Sequence, residues 1–91
     1  MAKAEVSWKR VTDEGVKLQV YARHVSRKWR FFVRERRFDR WQPLPEPPLE
    51  DWLKLLDAVR RRINRRLLRP EEEGWIQKAI RERFPEDFPG G

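Results

Sequence analysis

Residues 16–36 constrain the fold most strongly, because apolar and polar side chains alternate along them in two successive runs. The first run has its apolar residues at even positions, from Val16 to Ala22, and the second at odd positions, from Trp29 to Val33. A period of two is typical of a half-buried β-strand. The connection between the runs is short and polar around Ser26, so we predict that the two strands form an antiparallel hairpin.

A first strand is predicted over residues 5–11, followed by a turn at Gly15. Direct pairing of Val11 with Val16 would place Trp8 on the wrong side of the sheet. We therefore predict a bulge near Gly15 or a twist near Arg10. Residues 36–41 either extend the third strand or fold back as a short fourth one. The sheet is thus expected to occupy residues 5–42.

Four prolines within residues 43–48 predict a stiff crossover that ends the sheet. After it the apolar period changes to 3.6, which predicts a first helix over residues 49–69 and, from Pro70, a second over residues 70–84. Residues 85–91 are expected to be a tail. The predicted inward positions are Leu49, Trp52, Leu53, Leu56, Val59, Ile63 and Leu67 in the first helix, and Trp75, Ile76, Ala79, Ile80 and Phe84 in the second.

These elements predict an α+β fold: a three-stranded, or four-stranded, antiparallel meander followed by two helices packed on one face of the sheet. We expect residues 1–91 to form a single domain, because a chain of 91 residues has room for only a small core.

The positive charge is concentrated in the strand half of the chain. Residues 1–42 hold 12 basic and 5 acidic side chains, a net +7, whereas residues 43–91 hold 10 of each. A surface that concentrates one sign of charge attracts polyanions. This asymmetry favours a nucleic-acid partner.

The outward face of the predicted sheet combines cations with two exposed rings. Cationic groups neutralise phosphates and aromatic faces stack on unpaired bases, so we predict binding of single-stranded or structured RNA or DNA. The alternative is a protein-interaction module, a homodimer or an adaptor for an acidic partner, with the same face buried. The candidate residues are Lys9, Lys17, Tyr21, Arg23, Arg30, Phe32, Arg34 and Arg36.

A secondary basic patch is predicted on the first helix, as a solvent-facing row of Arg62, Arg65 and Arg69. Favourable interaction of basic side chains with the carboxyl end of a helix explains this row without a ligand. A helix-turn-helix interpretation is disfavoured, because the second helix begins with Glu71, Glu72 and Glu73, which would repel phosphate.

No reaction is indicated by the sequence, and we expect a protein that is not an enzyme and needs no cofactor. The chain has no cysteine, and its single histidine, His24, lacks the partners of a metal site. No segment approaches the roughly 18 apolar residues of a membrane span, so a cytoplasmic protein without membrane contact is expected.

Overall fold

The computed structural model describes residues 5–25 and 28–87. They form two compact units, one ending at Pro47 and the other beginning at Pro48. The elements, in order, are β1 (Glu5–Val11), β2 (Lys17–Val25), β3 (Lys28–Arg34), β4 (Gln42–Pro43), α1 (Leu49–Asn64) and α2 (Glu71–Arg83). The predicted α+β class, an antiparallel meander followed by two helices, is confirmed. The single domain and the packing of the helices on the sheet stay predictions.

The β1–β2 hairpin contains the predicted bulge at Gly15. The backbone N–H of Thr12 donates to the carbonyl of Val16 at 2.9 Å, and the N–H of Gly15 donates to the carbonyl of Thr12 at the same distance. Gly15 has a φ of 84°, the left-handed conformation that closes a three-residue hairpin loop. Val11 consequently pairs with Lys17 rather than Val16. This register places Val6 and Trp8 on the same side of the sheet as Val20 and Ala22.

The sheet has the order β1-β2-β3-β4, with every neighbouring pair antiparallel. Its apolar side is buried at Val6, Val20, Ala22 and Phe31. The connection between β2 and β3 was predicted around Ser26, which, like Arg27, lies outside the described residues.

The fourth strand is present but comes later than predicted. It consists of Gln42 and Pro43 rather than residues 36–41, and Pro43 pairs with Phe32. The N–H of Leu44 then donates to the carbonyl of Phe31 at 2.8 Å. The predicted crossover over residues 43–48 is therefore wrong at its start. Proline is tolerated here because β4 is an edge strand, where one missing donor breaks no central ladder.

Helix α1 ends five residues before its predicted end at 69. Arg66 has a φ of 62°, and its N–H donates to the carbonyl of Ile63 at 2.9 Å. The N–H of Leu67 donates to the carbonyl of Arg62 at 2.8 Å. These two bonds form a Schellman motif, which satisfies the last carbonyls of the helix and turns the chain away. Helix α2 matches its predicted range within a residue at each end.

The buried stripe of each helix differs from the prediction at several positions. In α1, Leu55 and Ala58 are buried, whereas Leu53 was predicted inward and is 44% exposed. In α2, Trp75 was likewise predicted inward and is 39% exposed. Two acidic residues are buried instead, Asp51 in α1 and Glu72 in α2. The predicted tail is described only as far as residue 87, so residues 88–91 lie outside the description.

Candidate functional site

The register of the sheet defines which side chains share its accessible side, because successive residues of a strand point to opposite faces. The side opposite Val20 and Ala22 carries mostly polar residues, and we call it the basic face. From the three long strands it comprises Glu5, Ser7, Lys9, Val11, Lys17, Gln19, Tyr21, Arg23, Val25, Lys28, Arg30, Phe32 and Arg34.

The two sides of the sheet differ sharply in charge. Among the described strand residues, the basic face carries six Lys or Arg side chains and one carboxylate, that of Glu5. In residues 5–25 and 28–34, the apolar side carries one cation, Arg10. Five of the six cations of the basic face are exposed, and the sixth, Arg34, is half-buried. The face therefore presents a concentrated positive charge to solvent.

The structure brings together seven of the eight predicted site residues on the basic face: Lys9, Lys17, Tyr21, Arg23, Arg30, Phe32 and Arg34. Arg36 is not a strand residue of this face, because β3 ends at Arg34 and Arg36 belongs to the following turn. Lys28 is a basic-face residue that the site prediction omitted, although the same alternation that identified Arg30 places it there.

Three aromatic rings cluster on the basic face. The ring centroids of Tyr21 and Phe32 are 5.7 Å apart, with the planes inclined by 43°. The ring of Trp41 also contacts Tyr21, with centroids 5.3 Å apart and planes inclined by 32°. All three rings are half-buried. The contacts between the rings hold them in place. Each ring still keeps part of its surface accessible to a ligand.

Trp41 was not among the predicted site residues. It lies between β3 and β4, outside any alternating run, so periodicity carries no signal for the direction of its side chain. The guanidinium of Arg34 lies over its indole, with Cζ 4.1 Å from the ring centroid, and the Nε–H of Arg34 donates to Oε1 of Gln19 at 2.7 Å. This cation–π contact connects the ring cluster to the charged part of the face.

The phenol of Tyr21 is held in its neutral form. Burial raises the pKa of Tyr21 above the ordinary 10.0, and a hydrogen bond to the carboxylate of Glu5, together with the negative charge of that group, raises it further. The positive charge of Arg23 opposes this shift. Tyr21 is therefore a hydrogen-bonded, uncharged ring at neutral pH.

Two arginines of the basic face lie directly opposite one another. Arg23 and Arg30 are cross-strand partners in the β2–β3 ladder, and both are exposed. Like charges in opposite positions of an antiparallel pair destabilise the sheet. Glu5, the β1 partner of Arg23, compensates on one side of the pair only. The sheet thus keeps a local charge repulsion on its accessible side.

A cavity of about 480 Å³ lies beside the end of β1 and the start of β2. Gln19, one of its lining residues, accepts the hydrogen bond from Arg34, and Arg34 in turn lies over the ring of Trp41. Its volume falls within the range of small-molecule sites. The lining residues are Lys9, Arg10, Val11, Lys17, Leu18, Gln19 and Glu35.

The predicted row of arginines on the first helix is not continuous. Arg62 is half-buried, with Nη1 3.5 Å from the carbonyl oxygen of Ala58. Arg65 is the C-terminal cap of α1, and Arg69 lies beyond the Schellman turn. Only Arg62 is therefore within the helix, and the three side chains do not follow one helical face.

Other cations of the second unit pair with carboxylates. The Nε of Arg60 lies 3.0 Å from Oε2 of Glu73, which connects α1 to α2. Arg61 pairs with Asp57, also at 3.0 Å, in an i,i+4 arrangement. These pairs orient the positive charge of α1 towards acidic groups of the same chain.

The only histidine lies on the apolar side of the sheet. His24 pairs with Trp29 across the β2–β3 ladder, and their ring centroids are 5.0 Å apart. Within residues 5–25 and 28–87, no group of three or more His, Asp or Glu side chains is arranged to hold a metal ion. The helices in the same part of the chain are too short or too polar to cross a membrane.

The fold and the site together define a small α+β protein with a cationic sheet face built around an aromatic cluster. Comparison of the chain with protein-family models, with curated proteins and with solved structures gives no match. Functional inference therefore depends on the chemistry of the basic face.

Proposed function

We propose that this protein binds nucleic acid through the basic face and is a binding protein rather than an enzyme. The supporting observation is the segregation on one accessible side of the sheet, where the described residues include six cations and three clustered rings with a single carboxylate. Cations supply the electrostatic attraction to phosphates, and the rings supply stacking surfaces for bases.

The repulsion between Arg23 and Arg30 supports the same proposal. Two like charges in opposite positions do not contribute to the stability of the sheet, since a neutral or an acidic residue in place of either arginine would stabilise it more. Departures from locally favourable chemistry concentrate at functional sites. A phosphate between the two guanidinium groups would attract both of them and reduce the repulsion.

Single-stranded or structured nucleic acid is the proposed ligand, in preference to a regular duplex. Tyr21, Phe32 and Trp41 need unpaired bases in order to stack, whereas the bases of a duplex are already stacked on each other. The phosphate contacts are proposed for the six cations of the face: Lys9, Lys17, Arg23, Lys28, Arg30 and Arg34.

The test is a titration of fluorescently labelled oligonucleotides, one single-stranded and one duplex of the same sequence, at several salt concentrations. The single strand is expected to bind more tightly. If all six cations engage phosphates, the slope of log K against log salt is about −4. Replacement of a ring, as in Phe32→Leu, is expected to weaken binding by about 1 to 3 kcal/mol. An affinity that changes neither with salt concentration nor on replacement of the ring contradicts the proposal.

A matched pair of variants separates the location of charge from its amount. The double variant Arg23→Gln/Arg30→Gln removes two cations from the basic face, whereas Arg61→Gln/Lys78→Gln removes two exposed cations from the helices. Both lower the net charge equally. Only the first is expected to weaken binding strongly and to make the salt slope shallower. Equal losses would mean that net charge, rather than this face, attracts the ligand.

The alternative function, association with a protein through the same face, is a separate outcome of these measurements. It requires Tyr21 and Phe32 to be buried against a partner. Light scattering that gives twice the chain mass, with weaker self-association for Phe32→Leu and no oligonucleotide binding, would favour it. A monomer that binds single strands favours the proposed function.

A further inference from the structure

The connection between β3 and Trp41 is a closed turn. The carbonyl of Arg36 accepts a hydrogen bond from the N–H of Asp39 at 2.9 Å, and the N–H of Arg36 donates to Oδ2 of Asp39 at 3.0 Å. These bonds define a β-turn with Arg37 and Phe38 at its two central positions. The turn therefore presents Phe38 at its tip with a defined backbone.

Phe38 is almost fully exposed. Its exposed fraction is 95%, higher than that of the other exposed large hydrophobic residues, of which the next is Leu67 at 66%. A phenylalanine in this position contributes little to the core, and the turn itself requires no ring, since small polar residues favour such positions. The ring is thus available to a ligand.

The surroundings of Phe38 are cationic. Arg36, Arg37 and Arg40 are all exposed, and the nearby carboxylate of Asp39 is engaged with the backbone of the turn. An accessible ring flanked by guanidinium groups combines the two features that single-stranded nucleic acid requires of its binding sites. This charge favours a polyanion over an apolar partner.

The turn is next to the ring cluster of the basic face. Phe38 precedes Trp41 by three residues, so their Cα atoms are at most about 11 Å apart. A nucleic-acid strand carries a phosphate every 3.4 Å or so when stacked, and it covers that distance within a few nucleotides. One strand can therefore reach both places.

We propose that the turn of residues 36–40 is a second contact point for the same nucleic-acid strand. Phe38 stacks on an unpaired base, and Arg36, Arg37 and Arg40 bind the phosphates on either side of it. This inference rests on the proposed function of the basic face, and it extends the bound strand beyond Trp41.

The test compares turn variants of the full chain by fluorescence anisotropy with labelled oligothymidylate of about 15 nucleotides. Phe38→Ala is expected to weaken binding by about 5- to 140-fold, the effect of one stacked base. Phe38→Tyr keeps the ring and is expected to retain the affinity. Phe38→Leu keeps apolar surface without a flat ring and is expected to behave like Phe38→Ala. Leu67→Ala, which removes an exposed aliphatic side chain elsewhere, is the control and is expected to change nothing.

The outcomes separate this inference from the proposed function. If Phe38→Ala binds as tightly as the unsubstituted protein while Phe32→Leu binds more weakly, the turn is not a contact point and the basic face still is. If Phe38→Leu retains full affinity, the contact is apolar rather than stacking and the inference is overturned. If the unsubstituted protein does not bind the oligonucleotide, both proposals fail together.

Discussion

Arg23 and Arg30 occupy opposite positions in the β2–β3 ladder, so that two exposed guanidinium groups share one site on the sheet. Removal of one charge is expected to relieve the repulsion. Arg30→Gln should therefore raise the free energy of unfolding by about 0.2 to 1 kcal/mol at low ionic strength, and by less in high salt. Urea denaturation at two salt concentrations measures both effects. Arg61→Gln, which breaks the pair with Asp57, serves as the control and should give no gain. A less stable Arg30→Gln protein contradicts the proposed repulsion.

The contact between Arg34 and Trp41 predicts an energetic coupling between the two side chains. Their separation of 4.1 Å is that of a partly exposed cation–π pair, which typically stabilises by about 0.5 to 1 kcal/mol. A double-mutant cycle of Arg34→Ala and Trp41→Ala should give a coupling free energy of this size in thermal or urea unfolding. Arg23→Ala with Trp41→Ala is the comparison cycle. Strictly additive effects for the first cycle would mean that the contact does not form in solution.

Two glycines predict opposite responses to the same substitution. Gly15 has a φ of 84°, so Gly15→Ala forces a side chain into the left-handed region and should destabilise the protein by about 1 to 2 kcal/mol. Gly74 lies within α2, with open space around the position of a Cβ atom. Gly74→Ala should stabilise by about 0.5 to 1 kcal/mol, because alanine is the better helix former. The midpoint of urea unfolding measures both changes, and a shift of the same sign in the two variants would be inconsistent with the backbone geometry.

The end of α1 predicts a stabilising change to glycine. Arg66 takes a φ of 62° at the position of the Schellman motif that favours glycine. Arg66→Gly removes the steric penalty of the left-handed conformation. The greater flexibility of glycine in the unfolded chain offsets part of this gain. A net gain of about 0.5 to 1 kcal/mol is expected in thermal unfolding. Arg65 has a φ of −90°, so Arg65→Gly should give no gain and is the matched control.

The raised pKa of Tyr21 predicts a loss of stability in alkali. A pKa above that of the unfolded chain means that the neutral phenol stabilises the folded state. This contribution is complete below pH 10 and is lost as the pH rises through the folded pKa. Tyr21 is the single tyrosine of the chain, so tyrosinate absorbance reports its ionisation alone.

The same titration tests the causes of the shift. Glu5→Gln should lower the pKa of Tyr21 towards 10.0 without reaching it, since burial, the largest cause, persists. Comparison with Tyr21→Phe separates the tyrosine from lysines that ionise in the same range. Ionisation of Tyr21 at or below pH 10 in the folded protein would contradict the predicted environment.

The strand positions of the candidate site followed from the sequence because they depend on a local rule. Alternation between Val16 and Ala22, and again between Trp29 and Val33, decides which side chains share a face once the strands pair. The position of Arg36 was predicted by continuing that rule past the end of β3, where the turn closed by Asp39 interrupts it. Lys28 obeys the rule and could have been included.

In the helices, too, the local pattern predicted the elements, whereas tertiary packing determined which side chains are buried. Their existence followed from the change of period after Pro48. Their inward faces did not, because several leucines were available in α1 and packing selected Leu55 over Leu53. The early end of α1 depends on an arginine in the left-handed conformation, which residue preferences disfavour.

By itself, then, the sequence determined the fold class, the order of the elements and the charge of one sheet face, because each depends on periodicity and composition along neighbouring residues. Only the tertiary structure decided that Trp41 joins Tyr21 and Phe32 under the guanidinium of Arg34, and that Phe38 is presented at the tip of a closed turn. Both features belong to a connection without a repeating pattern. Trp41 is positioned by its contact with Tyr21, which is distant in sequence, and Phe38 by the hydrogen bonds that close its turn.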